Sequence, residues 1–241
     1  IRTEVERCVQ ALADRGMEVI VLDVTHPRLG IPAFYTLIPG AHFRERAVGT
    51  NVGMFSAKLI AEQGDPDWAV AQLESMDRLL PEKYYVRFFL GYAHLSRNDP
   101  EKALGHFEAA LRLEPKEEDI PSIYSYMGVA LKQMDRFREA VSALQKAVPH
   151  DRERTDIHNL LGYCYFKMGE HKKAIEAFQE VVRIDPTSAI DYANIASNYR
   201  DLGEREMAIQ YYTLALELDP SIQFAQENLQ KLRGVQATGQ P

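Results

Sequence analysis

Cysteine is scarce in this chain. Of its 241 residues, only Cys8 and Cys164 are cysteines, and they stand about 150 residues apart. Two lone thiols are typical of a protein in a reducing compartment, so a cytoplasmic location is expected. Cys164 falls within a predicted helix, where a small core residue is a simpler interpretation than a nucleophile.

Clusters of basic residues and long apolar runs are also missing. The chain has 28 basic and 35 acidic residues, a net charge of −7, and its lysines and arginines are scattered. This balance argues against nucleic acid as the main partner, because phosphate backbones are bound through concentrated positive charge. No apolar run approaches the ~20 residues that cross a bilayer, so no membrane partner is expected.

Motifs for catalysis and metal binding are absent as well. No glycine-rich phosphate loop of the P-loop type occurs. None of the seven histidines has the HExxH pairing or the spacing of zinc ligands. His94 stands in a predicted helix, where a packed side chain is a simpler interpretation than a ligand. The chain by itself is therefore predicted to be no enzyme, with no catalytic residue, no metal site and no cofactor-binding residue.

What the chain does contain is one pattern that occurs four times. An alanine opens the second half of each unit at positions 103, 140, 174 and 208, in steps of 37, 34 and 34 residues. A small residue precedes each alanine, at Gly91, Gly128, Gly162 and Ala196. A bulky residue follows it, at Phe107, Leu144, Phe178 and Tyr212. The spacing is that of two amphipathic helices per unit, and the pattern resembles the tetratricopeptide repeat (TPR), a helix–turn–helix unit of about 34 residues.

Turn and stop residues fall where such a unit needs them. Gly169 and Gly203 suit the tight turn between the paired helices, where a positive φ costs glycine little. The equivalent turns of the first two units carry Asp99-Pro100 and Met134-Asp135. Second helices are predicted to end near proline, which cannot continue a helix, at Pro115, Pro186 and Pro220. Pro149 comes early in the second unit, so its last turn is expected to be short.

The predicted fold is all-α: a TPR helix–turn–helix superhelix of about four full repeats. A degenerate repeat precedes them over residues 50–83, with Ala57, Ala69 and Leu73 at the same offsets. A capping helix with a polar outer face follows Pro220, and solenoids need such a cap for solubility. The predicted domains are a small α/β segment over residues 1–49, the solenoid over residues 50–234, and a flexible tail over residues 235–241.

The first 49 residues have a different character. A helix is predicted over residues 4–15, followed by two β-rich apolar runs over residues 17–24 and 32–38. Two strands and one helix do not form an independently stable sheet domain. We therefore expect this segment to be the end of a larger α/β domain, and the chain to be a piece of a longer protein.

Short motifs in this segment resemble the C-terminal end of a YcaO domain. They are the run from Glu18 to Thr25, then Gly30-Ile31-Pro32, and then Leu37-Ile38-Pro39-Gly40. The resemblance implies an ATP-dependent enzyme family that activates backbone amides. Its relatives make azolines or thioamides, or assist methylthiolation of a ribosomal protein, and some carry C-terminal TPR repeats. ATP and magnesium are thus implied for the full-length protein, but the family's ligands lie mostly upstream, so no residue of this chain is assigned to them.

The resemblance to TPR proteins also implies a partner-binding surface, the concave face made by the first helix of each pair. Its predicted groove residues are Tyr85, Phe88, Tyr92, Val129, Lys132, Asn159, Tyr163, Phe166, Lys167 and Arg200. Phe88 and Tyr92 replace the lysine and asparagine that grip a C-terminal carboxylate in chaperone-binding TPRs. An aromatic groove favours extended or apolar peptide segments. The alternative for Tyr85, Phe88 and Tyr92 is that they pack against the preceding degenerate unit or the α/β segment.

The leading interpretation is a protein–protein interaction module that recruits a partner or protein substrate to an attached YcaO-like domain. One alternative is a structural module that holds two copies of the chain together as a homodimer. The other is part of an ATP-dependent amide-activating enzyme, or of a ribosomal-protein methylthiolation accessory factor, with its active site upstream of this chain. A protein or peptide in the concave groove is the expected partner.

Overall fold

The computed structural model describes residue 10, residues 20–23 and 34–37, and residues 52–63 and 65–234. The chain divides into two compact units, Ile1–Asn51 and Val52–Pro241. Within the described residues, no helix has the length and hydropathy needed to cross a bilayer.

The first unit contains a two-stranded antiparallel sheet. Strand β1 covers Ile20–Asp23 and strand β2 covers Phe34–Leu37. Their register pairs Ile20 with Leu37 at one end. Both strands lie inside the runs that the sequence predicts as β-rich. The predicted helix over residues 4–15 lies outside the described residues except for Gln10, which is helical, and so does the predicted tail over residues 235–241.

The second unit is helical throughout its described residues, and its helices form consecutive antiparallel pairs. The helices are α1 (Val52–Gln63), α2 (Pro66–Leu79), α3 (Tyr84–Ser96), α4 (Pro100–Arg112), α5 (Ile120–Gln133), α6 (Phe137–Ala147), α7 (Thr155–Lys167), α8 (His171–Ile184), α9 (Ala189–Asp201), α10 (Arg205–Leu218) and α11 (Gln223–Gly234). Each helix packs on the next along the chain. This is the predicted arrangement of four full repeats, α3 to α10, between a degenerate repeat, α1 and α2, and a capping helix, α11.

Contacts between a small and a bulky residue set the distance between paired helices. A Cβ atom added to Gly91 would lie 2.5 Å from the Phe107 ring, and one added to Gly162 would lie 2.7 Å from the Phe178 ring. The alanines that open the second helices, at 103, 140, 174 and 208, are fully buried beside these contacts. The sequence pattern thus corresponds to a continuous core along the solenoid.

Left-handed backbone conformations occur at the predicted turns. Gly169 and Gly203 have φ values of +73° and +79°. At the two equivalent turns the positive φ belongs to Asn98 (+58°) and Asp135 (+56°), residue types that tolerate this region. Asp99 instead begins α4 as its N-cap, because its side chain accepts a hydrogen bond from the Lys102 amide.

The ends of the solenoid also agree with the sequence pattern. Helix α6, which is followed by Pro149, has 11 residues, whereas the equivalent helices α8 and α10 have 14 each. The capping helix α11 buries Ala225 and Leu229 against the last repeat. In the degenerate repeat, Ala57 and Leu73 are fully buried.

The loop between the first two full repeats is structured. Its acidic run, Glu117–Asp119, forms a 3-10 helix that leads into α5. Its last residue is not simply solvated, since the Tyr84 hydroxyl donates a 2.6 Å hydrogen bond to the Asp119 carboxylate. Burial and that bond raise the pKa of Tyr84. The longer step between these repeats therefore carries a structural contact from α3 to the 3-10 helix that precedes α5.

Candidate peptide-binding groove

The first helices of successive repeats lie side by side. Helix α1 contacts α3, α3 contacts α5, and α5 contacts α7. Together with α9 and α11 they provide the concave face of the superhelix. Two concavities occur on this face, one bordered by α1, α3 and α5 and the other by α7, α9 and α11.

The N-terminal concavity has a volume of about 250 Å³ and an aromatic wall. The rings of Phe88 and Tyr92 on α3 each meet the ring of Tyr126 on α5 edge to face, with centroids 5.5 Å apart. Burial, with the neighbouring Tyr92, raises the pKa of Tyr126. The Tyr126 hydroxyl is therefore protonated at neutral pH. These rings offer a large apolar contact area with hydroxyl groups that can donate a hydrogen bond.

The C-terminal concavity is larger, about 390 Å³, and combines aromatic and amide side chains. Its lining residues are Asn159, Tyr163, Phe166, Phe178, Asn194, Ser197, Asn198, Arg200, Phe224 and Asn228. Hydrogen bonds between helices hold two of the polar groups. Asn159 donates to Asp191 on α9 over 2.6 Å, and Arg200 donates to Asn228 on α11 over 2.9 Å. The polar groups of this concavity are thus fixed before any ligand arrives.

Tyr163 lines the C-terminal concavity and also contacts Lys132 of α5. Its side chain is 38% exposed. The ammonium groups of Lys132 and Lys167 lie 5.0 and 6.0 Å from the centroid of its ring, and the ring of Phe137 meets it edge to face. The middle of the concave face therefore presents an exposed aromatic ring with two cations beside it.

An ion pair with two hydroxyl partners stands on the same face between α5 and α7. Arg154 donates to both carboxylate oxygens of Asp156 and to the Ser122 hydroxyl, and Ser125 donates to Asp156. Burial alone would raise the pKa of Asp156, but the hydrogen bonds from Arg154 and Ser125 hold it below its ordinary value. The carboxylate is therefore ionised and fully engaged.

The predicted groove residues do not all lie at this surface. Tyr85 is only 4% exposed and packs in the core shared by α1, α2 and α3, and it also borders the N-terminal concavity. The degenerate repeat covers it, as the alternative interpretation of the sequence held. Phe88 and Tyr92 pack partly on the same core and also border the concavity. Val129 is half-buried on α5 and borders neither concavity.

Other groove-lining residues were missed by the sequence reasoning. Tyr126 was missed because it lies outside the repeat positions that usually face a partner. Phe224 and Asn228 were missed because α11 was interpreted only as a polar cap. Their spacing of four residues, which places both side chains on one face of α11, was the available signal.

Two residues that the sequence analysis assigned to the core are there. Cys164 is fully buried, and burial raises the pKa of its thiol to about 11, which makes it a poor nucleophile. His94 is 3% exposed and stacks on His106 with ring centroids 5.1 Å apart.

Comparison with protein families agrees with this architecture. Tetratricopeptide repeat models match residues 84–117, 155–188 and 192–222. Residues 1–42 match the model for the YcaO cyclodehydratase, which binds ATP and Mg²⁺. No curated protein matches the chain.

Solved structures with the same fold include YrrB, described as a TPR protein with an unusual peptide-binding site. It is 21% identical with a TM-score of 0.65, over 73% of this chain and 89% of YrrB. A MamA structure is 27% identical with a TM-score of 0.63, over 70% of this chain and 91% of MamA. MamA from Desulfovibrio magneticus RS-1 is 20% identical with a TM-score of 0.63, over 71% of this chain and 98% of that protein. The helix pairs, their turns and the three repeat matches together identify this chain as a tetratricopeptide-repeat protein.

Proposed function

We propose that the concave face of helices α1 to α11 binds an extended segment of a partner protein and recruits that protein to an attached YcaO-like domain. Tetratricopeptide repeats indicate a protein–protein interaction module. The recruitment step and the choice of the concave face are our proposal.

The observation that carries the proposal is the pair of aromatic-walled concavities on one face, with the exposed ring of Tyr163 in the wall of the C-terminal one. Aromatic anchors in concave sites supply contact area at low cost in side-chain entropy. The bonds of Asn159 and Arg200 to neighbouring helices keep polar groups in place, which reduces the ordering cost of binding. YrrB, described as having a peptide-binding site, provides a precedent in the same fold.

Hydrogen exchange tests which face is used. Short random peptides would be displayed and selected on the purified chain, and a selected peptide would then be added during amide exchange. The proposal expects added protection in the first helices, α3, α5, α7 and α9. Protection confined to the second helices, α4, α6, α8 and α10, would contradict it.

The attached domain is proposed to use ATP and Mg²⁺, as the YcaO match over residues 1–42 suggests. The solenoid would then deliver a protein whose backbone amide is activated elsewhere in the full-length protein. We expect this chain alone not to hydrolyse ATP. Magnesium-dependent turnover in proportion to the purified chain would refute that expectation. A reduced, cytoplasmic setting goes with this proposal, since the described cysteine, Cys164, is a free thiol.

A second candidate function is homodimer formation. Its support is exposed apolar surface on α2, where Trp68 is 49% exposed and Leu79 is 77% exposed. The two side chains are about three helical turns apart on one face of α2, and an exposed apolar face often marks a protein contact. Light scattering over a range of concentrations tests this function. The function is supported if the native chain is a dimer and the double variant Trp68→Ser with Leu79→Ser is a monomer. It is excluded if the native chain is a monomer at every concentration.

A further inference from the structure

The centre of the concave face concentrates positive charge beside one exposed ring. Lys132 is in the last turn of α5 and Lys167 is the last residue of α7. Both ammonium groups lie near the Tyr163 ring, at 5.0 and 6.0 Å from its centroid. Lys167 is exposed and Lys132 is half-buried, so a ligand can reach this Lys132–Tyr163–Lys167 cluster from solvent.

These two lysines differ from those lysines of the solenoid that form ion pairs with carboxylates, which are Lys58, Lys102, Lys116 and Lys173. Within the described residues, Lys132 and Lys167 have a tyrosine ring in place of a carboxylate, as Lys146 does, but they share one ring, that of Tyr163. An ammonium group carries three donors, and a ring face satisfies at most one, so donors remain for an incoming acceptor.

Each carboxylate on the surrounding first helices already accepts from another donor, and the ion pairs that these helices form are Arg154–Asp156 and Arg200–Asp201. Asp156 accepts from Arg154 and Ser125, Asp191 from Asn159 and Ser188, and Asp201 from Arg200. Helices α5, α7 and α9 carry no other acidic residue. The positive charge of the cluster is therefore not neutralised from within these helices.

We propose that the Lys132–Tyr163–Lys167 cluster receives an acidic side chain, Asp or Glu, of the segment bound in the groove. Apolar side chains on either side of that acid occupy the two concavities. The inference rests on the proposed function and adds the chemical class of the partner. The acid is a side chain and not a chain terminus, because the cluster on α5 and α7 adjoins the C-terminal concavity, whose wall includes Tyr163, and follows the N-terminal concavity in helix order, so that the segment continues past it.

The charge of the whole chain sharpens this specificity. A net charge of −7 repels long acidic runs, so the preferred segment carries one or two acids among apolar residues. The lysine cluster attracts an acid at one position, whereas the net negative charge of the chain disfavours acids elsewhere in the segment. The groove therefore selects segments by where their acid lies, and not by how many acids they carry.

The test uses short random peptides, displayed without a free C-terminus and selected on the full chain. Selected sequences are then made as amidated peptides, each with a Glu→Gln or Asp→Asn partner. Affinities are measured for the native chain and for Lys132→Gln with Lys167→Gln. The control is Lys102→Gln with Lys173→Gln, two exposed lysines on the second helices α4 and α8. Circular dichroism checks that each variant is folded.

We expect selected peptides to carry an acid between apolar residues. Neutralising that acid should weaken binding to the native chain about tenfold, the size expected for a charge-assisted hydrogen bond. The same change should have little effect with the Lys132 and Lys167 variant, while the control variant should behave as the native chain does.

The outcomes separate the two proposals. Peptides that protect the first helices from exchange but show no acid preference overturn this inference and leave the groove intact. Binding that requires a free C-terminal carboxylate overturns it as well. A selection that yields no peptide bound at the first helices overturns both the inference and the proposed function.

Discussion

At the scale of single residues, the glycines of the first helices fix how closely the paired helices approach. A Cβ atom at Gly162 would lie 2.7 Å from the Phe178 ring, far inside van der Waals contact. Gly105, in α4, has nothing within 4 Å of its added Cβ atom. The two glycines therefore differ in function although both are helical: one is needed for packing, and the other only weakens its helix.

This difference predicts opposite effects of the same substitution. Gly162→Ala should lower the free energy of unfolding by about 1–3 kcal/mol, because the added carbon overpacks the core. Gly105→Ala should raise it by about 0.5–1 kcal/mol, because alanine favours the helix. Urea denaturation measures both. A stable Gly162→Ala variant would mean that the assigned packing is incorrect.

The stacked histidines of α3 and α4 make stability depend on pH. Burial lowers the pKa of His94, and burial with the neighbouring His94 lowers the pKa of His106 to about 4. The unfolded chain therefore binds more protons below about pH 6.5, and stability falls as the pH falls from about 6.5 towards 4. Carboxylates whose pKa is depressed, such as that of Asp156, are ionised in both the folded and the unfolded chain above about pH 5. They therefore do not change the free energy of unfolding with pH in that range.

We expect the melting temperature to fall between about pH 7 and about pH 5. His106→Phe, which keeps an aromatic ring beside His94, should reduce this fall. The measurement is thermal unfolding by circular dichroism at the two pH values. An equal fall in the native chain and the variant would show that this histidine is not its source.

At the scale of elements, the capping helix α11 has two functions. It covers the last repeat through Ala225 and Leu229, and it contributes Phe224 and Asn228 to the C-terminal concavity. Arg200 connects it to α9 through Asn228. Loss of α11 should therefore lower both the stability of the last repeat and the affinity of the groove for a peptide.

Leu229→Ala should lower the free energy of unfolding by about 2 kcal/mol or more, since it removes a buried side chain from this end. Gln230→Ala, at an exposed neighbouring position, should change it by less than about 0.5 kcal/mol. Chemical denaturation of the two variants makes the comparison. Equal stabilities would argue against the docking of α11 on the last repeat.

The sequence was sufficient for the helices because each repeat obeys the same local rules. The 34-residue spacing aligned Gly162 with the equivalent glycines of the other repeats, and Pro149 correctly predicted a short α6. The contact of Gly162 with Phe178 was found only in the structure. It was not sufficient for contacts between repeats. The bond from Tyr84 to Asp119 joins residues 35 positions apart, and no periodic pattern indicates it.

The same limit applies to the groove. Repeat position predicted both Tyr85 and Tyr163 to be groove residues, yet Tyr85 is 4% exposed and Tyr163 is 38% exposed. The difference arises from what neighbours them: the degenerate repeat covers the first, whereas lysines border the second. Exposure depends on the packing of adjacent repeats, which a pattern within one repeat does not contain.

At the scale of the whole molecule, the solenoid presents two different faces. The concave face carries the two concavities and the Lys132–Tyr163–Lys167 cluster. The second helices carry charged side chains paired with one another, such as Lys173 with Glu170 on either side of the start of α8. Exposed ion pairs of this kind contribute little to binding or to stability. Partner binding should therefore depend on the concave face.

The most direct test of this account is the affinity of a selected peptide for two double variants. Tyr163→Ala with Phe166→Ala removes aromatic anchors from the concave face, and Lys173→Ala with Glu176→Ala changes exposed residues of α8. Fluorescence anisotropy should show a loss of about thirtyfold or more for the first, because truncation of a central aromatic anchor costs about 2 kcal/mol or more. The second should bind as the native chain does, and both should keep native helical content. Loss of binding with the α8 pair, and native affinity with the concave pair, would contradict the account.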